Sequence, residues 1–559
     1  MKRNLPQMAE TSYDLVIIGG GITGSCIAWD AALRGLKTAL VEKNDFSAAT
    51  SSAPSKLVHG GLRYLKNLEF GLVRESLRER RYLEQIAPHQ VDPLAFLLPV
   101  YKHGPNSAPV LLAGMTLYEL LSYDKRWLED PDKQLPSFSP LSRKETLRRV
   151  PQLKSEELVN GLVYYDCLMH SPERLSLDFL MAAAESGADL ANYAEVTDFV
   201  RTENTLTGVE VTDLLSGQNH TISGRVVVNA SGPWADLLLG LMEQEPARHL
   251  MRSKGIHIVT RVIAPLEQAL TLTNEAGEHL FVIPWRGHTL IGTTDREFRG
   301  HPDDFKVTLD DIDELIDKTN RMYPAAELTR ADVLYYYGGL RPIVEKETKV
   351  KTESYKASRK HEVYDHEEEG IHGLISVIGG KYTTARHLAE QVVDQVYHQL
   401  KTPKVHCSTI QSQISGGQIE RFQDFVESEQ NRWCLYSPDL IAHLCRNYGA
   451  RAERVLELGK ADPELLEPLS PLRQEVGAEI LYAVREEMAF NLADAVFRRT
   501  GLGTLGHPGL NALEKAAGLM ASELGWTPEK TAAEVAAVAA RFELPSASAS
   551  DQAETEALA

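Results

Sequence analysis

Three glycines in the spacing Gly19-x-Gly21-x-x-Gly24, followed downstream by Glu42, could hold the diphosphate of a dinucleotide. Gly19 permits a tight turn, Gly21 lets the backbone approach a pyrophosphate, and Gly24 lets a helix pack closely on a strand. The free N–H groups of the helix that follows stabilise the anion. Glu42 can accept hydrogen bonds from both ribose hydroxyls. A glycine motif alone is weak, because any glycine-containing loop can match it by chance. It becomes specific when a strand precedes it, a helix follows and an acid ends the next strand.

The surrounding sequence supplies that context. Asp14–Ile18 is a continuous apolar run, the pattern of a strand buried on both faces. Thr23–Leu33 predicts a helix stopped at Gly35, and Thr38–Val41 a second buried strand. Asn44–Tyr64 is then rich in Ser, Thr and Gly and lacks periodicity. It has the composition of a strap over a cofactor larger than NAD. Far downstream, Gly379–Thr384 leads from a buried strand into a helix starting at Thr383, whose positive end would favour the negative N1/O2 edge of a reduced flavin. FAD is therefore preferred to NAD.

Elsewhere the spacing predicts a helix over Glu69–Ile86 and an inserted region between Pro88 and Pro151. A helix capped at Ser171-Pro172-Glu173 should run to Gly187. A meander follows over Glu195–Val200, Gly208–Leu214 and His220–Ile222, then a buried strand over Arg225–Gly232. The stretch 245–345 has strand character at Ile256–Val259, Leu280–Ile283 and Thr289–Gly292. Beyond about residue 402 the chain turns helical, as in Gln474–Met488 and Pro528–Arg541. Residues 546–559 have the composition of a disordered tail, and no internal repeat is visible.

Length and charge bound the function. At 559 residues the chain has room for roughly three domains. Lys and Arg number 59 against 78 Asp and Glu, a formal charge of −19, which argues against nucleic acid as a partner. Five irregularly spaced cysteines without a CxxC read as reduced thiols in a cytosolic protein, and no metal-ligand spacing occurs. The N-terminal residues lack the apolar core of a secretory signal. Val110–Leu121, the most apolar stretch, falls short of the roughly 20 residues of a spanning helix. Its expected place is the core, with a membrane interface as the alternative. Arg74–Arg81 alternates charges and reads as a solvated helix.

From residue 13 to about 540 the chain resembles the FAD-dependent, aerobic glycerol-3-phosphate dehydrogenases of the D-amino-acid-oxidase-like superfamily. The resemblance is carried by Asp14–Gly21, Ala49–Leu65 (ATSSAPSKLVHGGLRYL), Asn229–Ala235, Ile283–Trp285 with Ile291–Asp295 (IGTTD), Gly338–Pro342 (GGLRP) and Gly379–Thr384 (GGKYTT). It implies an α/β fold with a Rossmann-like FAD domain of the D-amino-acid-oxidase/glutathione-reductase type, an antiparallel-sheet substrate domain and a C-terminal helical domain. The FAD domain would comprise 13–90, 171–240 and 366–400, the substrate domain 91–170 and 241–365, and the helical domain 403–545. The implied cofactor contacts are Gly19, Gly21, Ile22, Thr23, Gly24, Glu42, Lys43, Thr50, Ser51, Ser52, Lys56, Leu57, His59, Gly60, Val196, Ala230, Gly232, Trp234, Gly380, Lys381, Tyr382 and Thr383. The implied substrate contacts are Arg63, Tyr64, His257, Arg341, Arg359 and Lys381, and the implied reaction converts sn-glycerol 3-phosphate to dihydroxyacetone phosphate with electrons passed to a membrane quinone.

The residue types suit that chemistry. A phosphate dianion needs several cations, preferably planar Arg forks. Any one of Arg63, Arg341, Arg359 and Lys381 could instead be an ordinary solvated charge. Arg341 and Lys381 stand out because they adjoin glycine-rich turns, whereas Arg359 competes with Lys356 and Lys360 in a charged run. The base is His257 or His59, since imidazole titrates near ~6.5. A lone strand histidine is more often structural, but its flanking motif favours His257. Three rivals stand beside this reading: an oxygen-using glycerol-3-phosphate oxidase, an amine or 2-hydroxy-acid oxidase, and an RNA-modifying or non-catalytic flavoprotein. A homodimer through the helical domain and peripheral attachment to the inner face of the cell membrane are further expectations.

Overall fold

The computed structural model describes residues 1–102, 107–242, 250–274, 277–344 and 361–546, apart from the side chains of Arg63, Lys66 and Val344. Ser12–Ile18 pairs in parallel with Thr38–Val41 on one side and with Asn219–Asn229 on the other. Asp189–Ala191 and Leu374–Ile378 extend the sheet outward in the same sense. The helices Ile22–Leu33, Pro172–Glu185 and Ala385–Leu400 contribute to one apolar core with the sheet strands. Ser171 caps the second of these, its side chain accepting from the Arg174 N–H. Burial on both faces explains why the strands read as unbroken apolar runs.

Two segments expected separately, His220–Ile222 and Arg225–Asn229, form one strand. Its first half pairs antiparallel with Thr205–Asp213 and its second half parallel with Ser12–Ile18. Glu362–Asp365, expected with the substrate segments, instead edges this first sheet against Leu374–Ile378.

The second sheet is mainly antiparallel. Leu250–Thr260 lies between Val333–Val344 and His288–Gly292, and the order continues through His279–Trp285, Gln268–Thr273, Val91–Tyr101 and Leu158–Met169. The strap after Glu42 crosses over and adds Leu57–Val58 to the far edge. One chain segment thus joins the two sheets, and the cavity described below lies where they meet.

One expectation about helices is overturned, and a second holds on one side of its helix only. Phe70–Ile86 is not solvated along its charged face: Glu79, Arg80 and Glu84 are buried. Arg386 clasps Glu79 through two bonds of 2.7 and 2.8 Å, and Arg80 pairs with Asp166. These partners are remote in sequence, so local charge alternation could not reveal them. Ala108–Leu121 enters the core along one side only, with Met115 and Tyr118 in it and Ala108, Leu111, Leu117 and Leu121 packed against it. Only Met115 and Tyr118 of its residues are buried, while Val110, Leu112 and Leu120 are exposed. Apart from Thr116 and Glu119, which holds Lys125 at 2.5 Å, the helix is apolar, and one side of it meets the protein.

Helices from Phe422 to Ala539 pack around two further cores. Buried ion pairs tie them to the rest: Arg174 reaches Glu487 at 2.7 and 2.8 Å, and Arg499 grips Asp45 at 2.7 and 2.8 Å. Among the described residues no helix is long and apolar enough to cross a membrane. The expected tail lies outside them from 547 on.

Candidate functional site

The turn after the first strand has the geometry that a diphosphate site requires. Gly19 adopts φ +111°, and a Cβ there would stand 2.6 Å from the Ala230 carbonyl oxygen. A Cβ on Gly24 would fall 1.9 Å from the Gly19 carbonyl oxygen, so helix and strand can approach this closely only at glycine. Ser51 from the strap accepts a hydrogen bond from the Ile22 N–H at 2.8 Å, at the start of the helix. Glu42 accepts from the Gly20 and Asn44 N–H groups at 2.7 and 2.9 Å, and burial pushes its carboxyl pKa upward. Those two bonds fix the carboxylate at the end of its strand while it still lines the cavity.

That cavity measures about 950 Å³ and runs from the glycine turn to the second sheet. Of the expected cofactor contacts, Gly19, Gly21, Ile22, Thr23, Glu42, Lys43, Thr50, Ser51, Leu57, His59, Val196, Ala230, Gly232, Trp234, Gly380, Lys381, Tyr382 and Thr383 line it. Gly24, Ser52, Lys56 and Gly60 do not. Gly24 lies behind the turn, and Ser52 donates to the Ala49 carbonyl. Lys56 is buried on Glu173 at 2.7 Å, with its pKa lowered by burial. Arg359 and the side chain of Arg63 lie outside the described residues.

The structure brings His257, Arg341, Tyr64 and Lys381 to this same cavity. Leu250–Thr260 pairs with Val333–Val344 so that Gly255 faces Gly339 and His257 faces Tyr337. Alternate residues share a face, which puts Gly255 beside His257. The Arg341 guanidinium lies over Gly255, where a Cβ would approach Nη2 to 2.1 Å. Its Nη2 donates to Thr293 Oγ1 at 2.5 Å and its Nη1 to the Thr294 carbonyl at 3.1 Å. Lys381 Nζ sits 3.9 Å above the Tyr64 ring and 3.2 Å from Ser76 Oγ. His59 adjoins the start of the last sheet helix, its N–H donating to Thr383 Oγ1 at 3.4 Å.

His257 is almost wholly buried, 1% exposed. Its ring stacks on Tyr337, with centroids 5.1 Å apart and planes at 17°, and Nε2 is 2.8 Å from Ser55 Oγ. Burial holds its pKa well below 6.5, and the positive charges of Arg341 and Lys56 push the same way. The ring is therefore neutral at neutral pH, the state in which it can accept a proton.

Sequence reading missed Ser55, Tyr337, Gly255, Gly292 and Asp303. The two glycines had a signal, because an isolated glycine within a strand often marks a close approach. A Cβ on Gly292 would meet His257 Cδ2 at 2.1 Å. Asp303 accepts from both Lys43 Nζ at 2.7 Å and Trp234 Nε1 at 2.9 Å, closing the cavity rim between the two sheets.

A glycine turn at a parallel strand, an acid at the next strand end and one long cavity together fit FAD. The chain matches the family of FAD dependent oxidoreductases over residues 14–386, which defines it as an FAD-dependent oxidoreductase. Residues 407–531 match the C-terminal domain of alpha-glycerophosphate oxidase. Over 543 residues the chain is 39% identical to a glycerol-3-phosphate dehydrogenase of Synechocystis sp., covering 94% of this chain and 96% of the relative. It is 35% identical to the aerobic glycerol-3-phosphate dehydrogenase of Staphylococcus aureus strain USA300, covering 90% and 88%. It belongs to the FAD-dependent glycerol-3-phosphate dehydrogenase family. The solved glycerol-3-phosphate dehydrogenase of Bacillus halodurans, complexed with FAD, superposes with a TM-score of 0.79 at 30% identity and 96% coverage of both chains. The L-alpha-glycerophosphate oxidase of Mycoplasma pneumoniae shares the fold, with a TM-score of 0.51 at 18% identity over 71% of this chain and 98% of that one.

Proposed function

We propose that this enzyme oxidises sn-glycerol 3-phosphate to dihydroxyacetone phosphate and passes the electrons to a quinone. The observation that carries the reading is Arg341 lying beside a neutral, buried His257 in the FAD cavity. FAD, when bound, supplies a hydride acceptor. Arg341 and Lys381 bind and orient the phosphate, with Arg63 and Arg359 expected to assist. Arg341 is braced by Thr293 and Thr294, so its fork is already aimed before substrate arrives.

Oxidising a secondary alcohol removes a hydride from carbon and a proton from oxygen. His257 takes that proton at Nε2, the nitrogen oriented by the Ser55 hydroxyl, in the tautomer with its hydrogen on Nδ1. The free ring is a weak base because it is dry and faces positive charge. An arriving dianion offsets that charge and raises the imidazole pKa when a base is needed. His59 is the second candidate base. The sum balances as glycerol 3-phosphate plus quinone giving dihydroxyacetone phosphate plus quinol, two electrons and two protons changing hands.

In this reading segments 13–90, 171–240 and 366–400, with the edge strand Glu362–Asp365, bind FAD, segments 91–170 and 241–361 bind substrate, and 403–545 brace both. The enzyme works at the inner face of the cell membrane, held peripherally, and forms a homodimer through its C-terminal helical region, in whose turns Leu435 and Leu472 are exposed. Turnover of sn-glycerol 3-phosphate with a short-chain quinone tests the acceptor. Equimolar dihydroxyacetone phosphate and quinol are expected, whereas peroxide formed at the same rate in air would make the enzyme an oxidase.

A further inference from the structure

His257 is not held in the usual way for a base. An imidazole that moves protons is ordinarily oriented through the ring nitrogen opposite the one that takes the proton. Nδ1 of His257 is buried and has no hydrogen-bond partner among the described residues. What fixes the ring is instead the Tyr337 face on which it stacks and the Ser55 hydroxyl at Nε2.

Both contacts lead to one side chain, Lys56. It follows Ser55 directly in the strap, with its backbone in the left-handed region at φ +59° and its carbonyl accepting from the Met169 N–H at 2.7 Å. Lys56 is 1% exposed, and its Nζ stands 4.9 Å from the Tyr337 ring centroid and 4.8 Å from that of Trp285. Tyr337 is tied at its far end, where the hydroxyl donates to the Pro54 carbonyl at 3.0 Å. Three consecutive residues, Pro54, Ser55 and Lys56, thus grip the stacked rings of Tyr337 and His257.

Packing alone does not account for the cation. A buried ammonium loses its hydration, and an apolar side chain of similar length fills the same space without that cost. Glu173 offsets part of it, accepting from Lys56 at 2.7 Å through Oε1 while Ser171 donates to Oε2 at 3.0 Å. The carboxylate is therefore set in the first turn of its helix. It holds the ammonium beside two aromatic rings, whose π electrons attract a positive charge. Lys56 does not line the cavity, so its effect on the reaction passes through its neighbours.

We propose that Lys56, anchored on Glu173, is a positioning residue that holds Tyr337 and Ser55 so that Nε2 of His257 faces the substrate hydroxyl. The inference rests on the reading of His257 as the base, and adds what orients the ring in place of a partner at Nδ1.

The test is a double-mutant cycle on the full FAD-loaded chain, read as the limiting rate of anaerobic flavin reduction by sn-glycerol 3-phosphate. Lys56→Met should slow that rate about tenfold, a coupling typical of side chains in one contact network. The substrate concentration giving half the limiting rate should change little, because Lys56 is not in the cavity wall. In a His257→Asn background the same substitution should slow reduction by less than about twofold, since no base remains to be misplaced. The pair variant Lys56→Met/Glu173→Gln leaves no buried carboxylate unpaired, and it should show the same pattern with FAD content unchanged, even where Lys56→Met alone does not fold. Equal slowing in both backgrounds would make Lys56 a packing residue and overturn the proposal. So would a parental rate in Lys56→Met, or a pair variant that fails to fold or to hold FAD. A parental rate in His257→Asn itself would defeat the base reading, a result distinct from equal slowing across the cycle.

Discussion

His257→Asn tests the proton-transfer role proposed for that imidazole. Asn can keep a polar contact near Ser55 but cannot act as a base, and its smaller volume does not disturb the glycine turn expected to hold the FAD diphosphate. Loss of a positioned general base costs about 100- to 10,000-fold, or about 3–5 kcal/mol in barrier. Ser55→Ala removes one neutral hydrogen bond to the ring, worth about 0.5–1.5 kcal/mol, and should slow the same step about 2- to 10-fold. The assay is anaerobic stopped-flow loss of the flavin absorbance on mixing with sn-glycerol 3-phosphate, with FAD content measured on the same samples. His257 has its folded pKa depressed below 6.5, so it stays neutral at and above neutral pH. The acid limb of kcat/KM should accordingly lie below pH 6.5. Parental rates in His257→Asn with FAD still bound would refute the reasoning, and so would an acid limb above pH 6.5.

Two further outcomes follow from the packing. Gly24→Ala places a methyl against the Gly19 carbonyl and should yield protein that folds but loses FAD on gel filtration, read as the ratio of flavin to protein absorbance. Glu84 is buried, and desolvation raises its pKa to about 7 from 4.5, against the lowering effect of the Arg80 charge and the Cys167 hydrogen bond. A raised carboxyl favours folding while protonated, so its contribution is lost as pH rises from about 4.5 through about 7, amounting to about 3 kcal/mol above that window. Glu84→Gln should therefore raise the denaturation midpoint at pH 8 and change it little near pH 4.5.

The cofactor half of the molecule was legible because its information is local. The glycine spacing, the buried strands on either side and the acid at Glu42 occupy one short stretch, and each has a single physical use. The proposed substrate site was legible only as residue types. Nothing in the spacing places Arg341 over Gly255, because that depends on how two distant strands pair. Ser55 was hidden in a strap whose composition suggested cofactor contacts throughout, whereas part of it turns back into the second sheet. The helices Phe70–Ile86 and Ala108–Leu121 defeated pattern reading in opposite ways. The first buries charges by pairing them with Asp166 and Arg386, and the second buries one apolar side while leaving Val110, Leu112 and Leu120 exposed.

The most direct measurement is an anaerobic titration of the FAD-loaded enzyme with sn-glycerol 3-phosphate. The account expects the flavin's yellow absorbance to fall as substrate is added, with dihydroxyacetone phosphate as product and no response to glycine or lactate. An enzyme whose flavin is unmoved by glycerol 3-phosphate, or that is bleached by an amine or a 2-hydroxy acid instead, would contradict it.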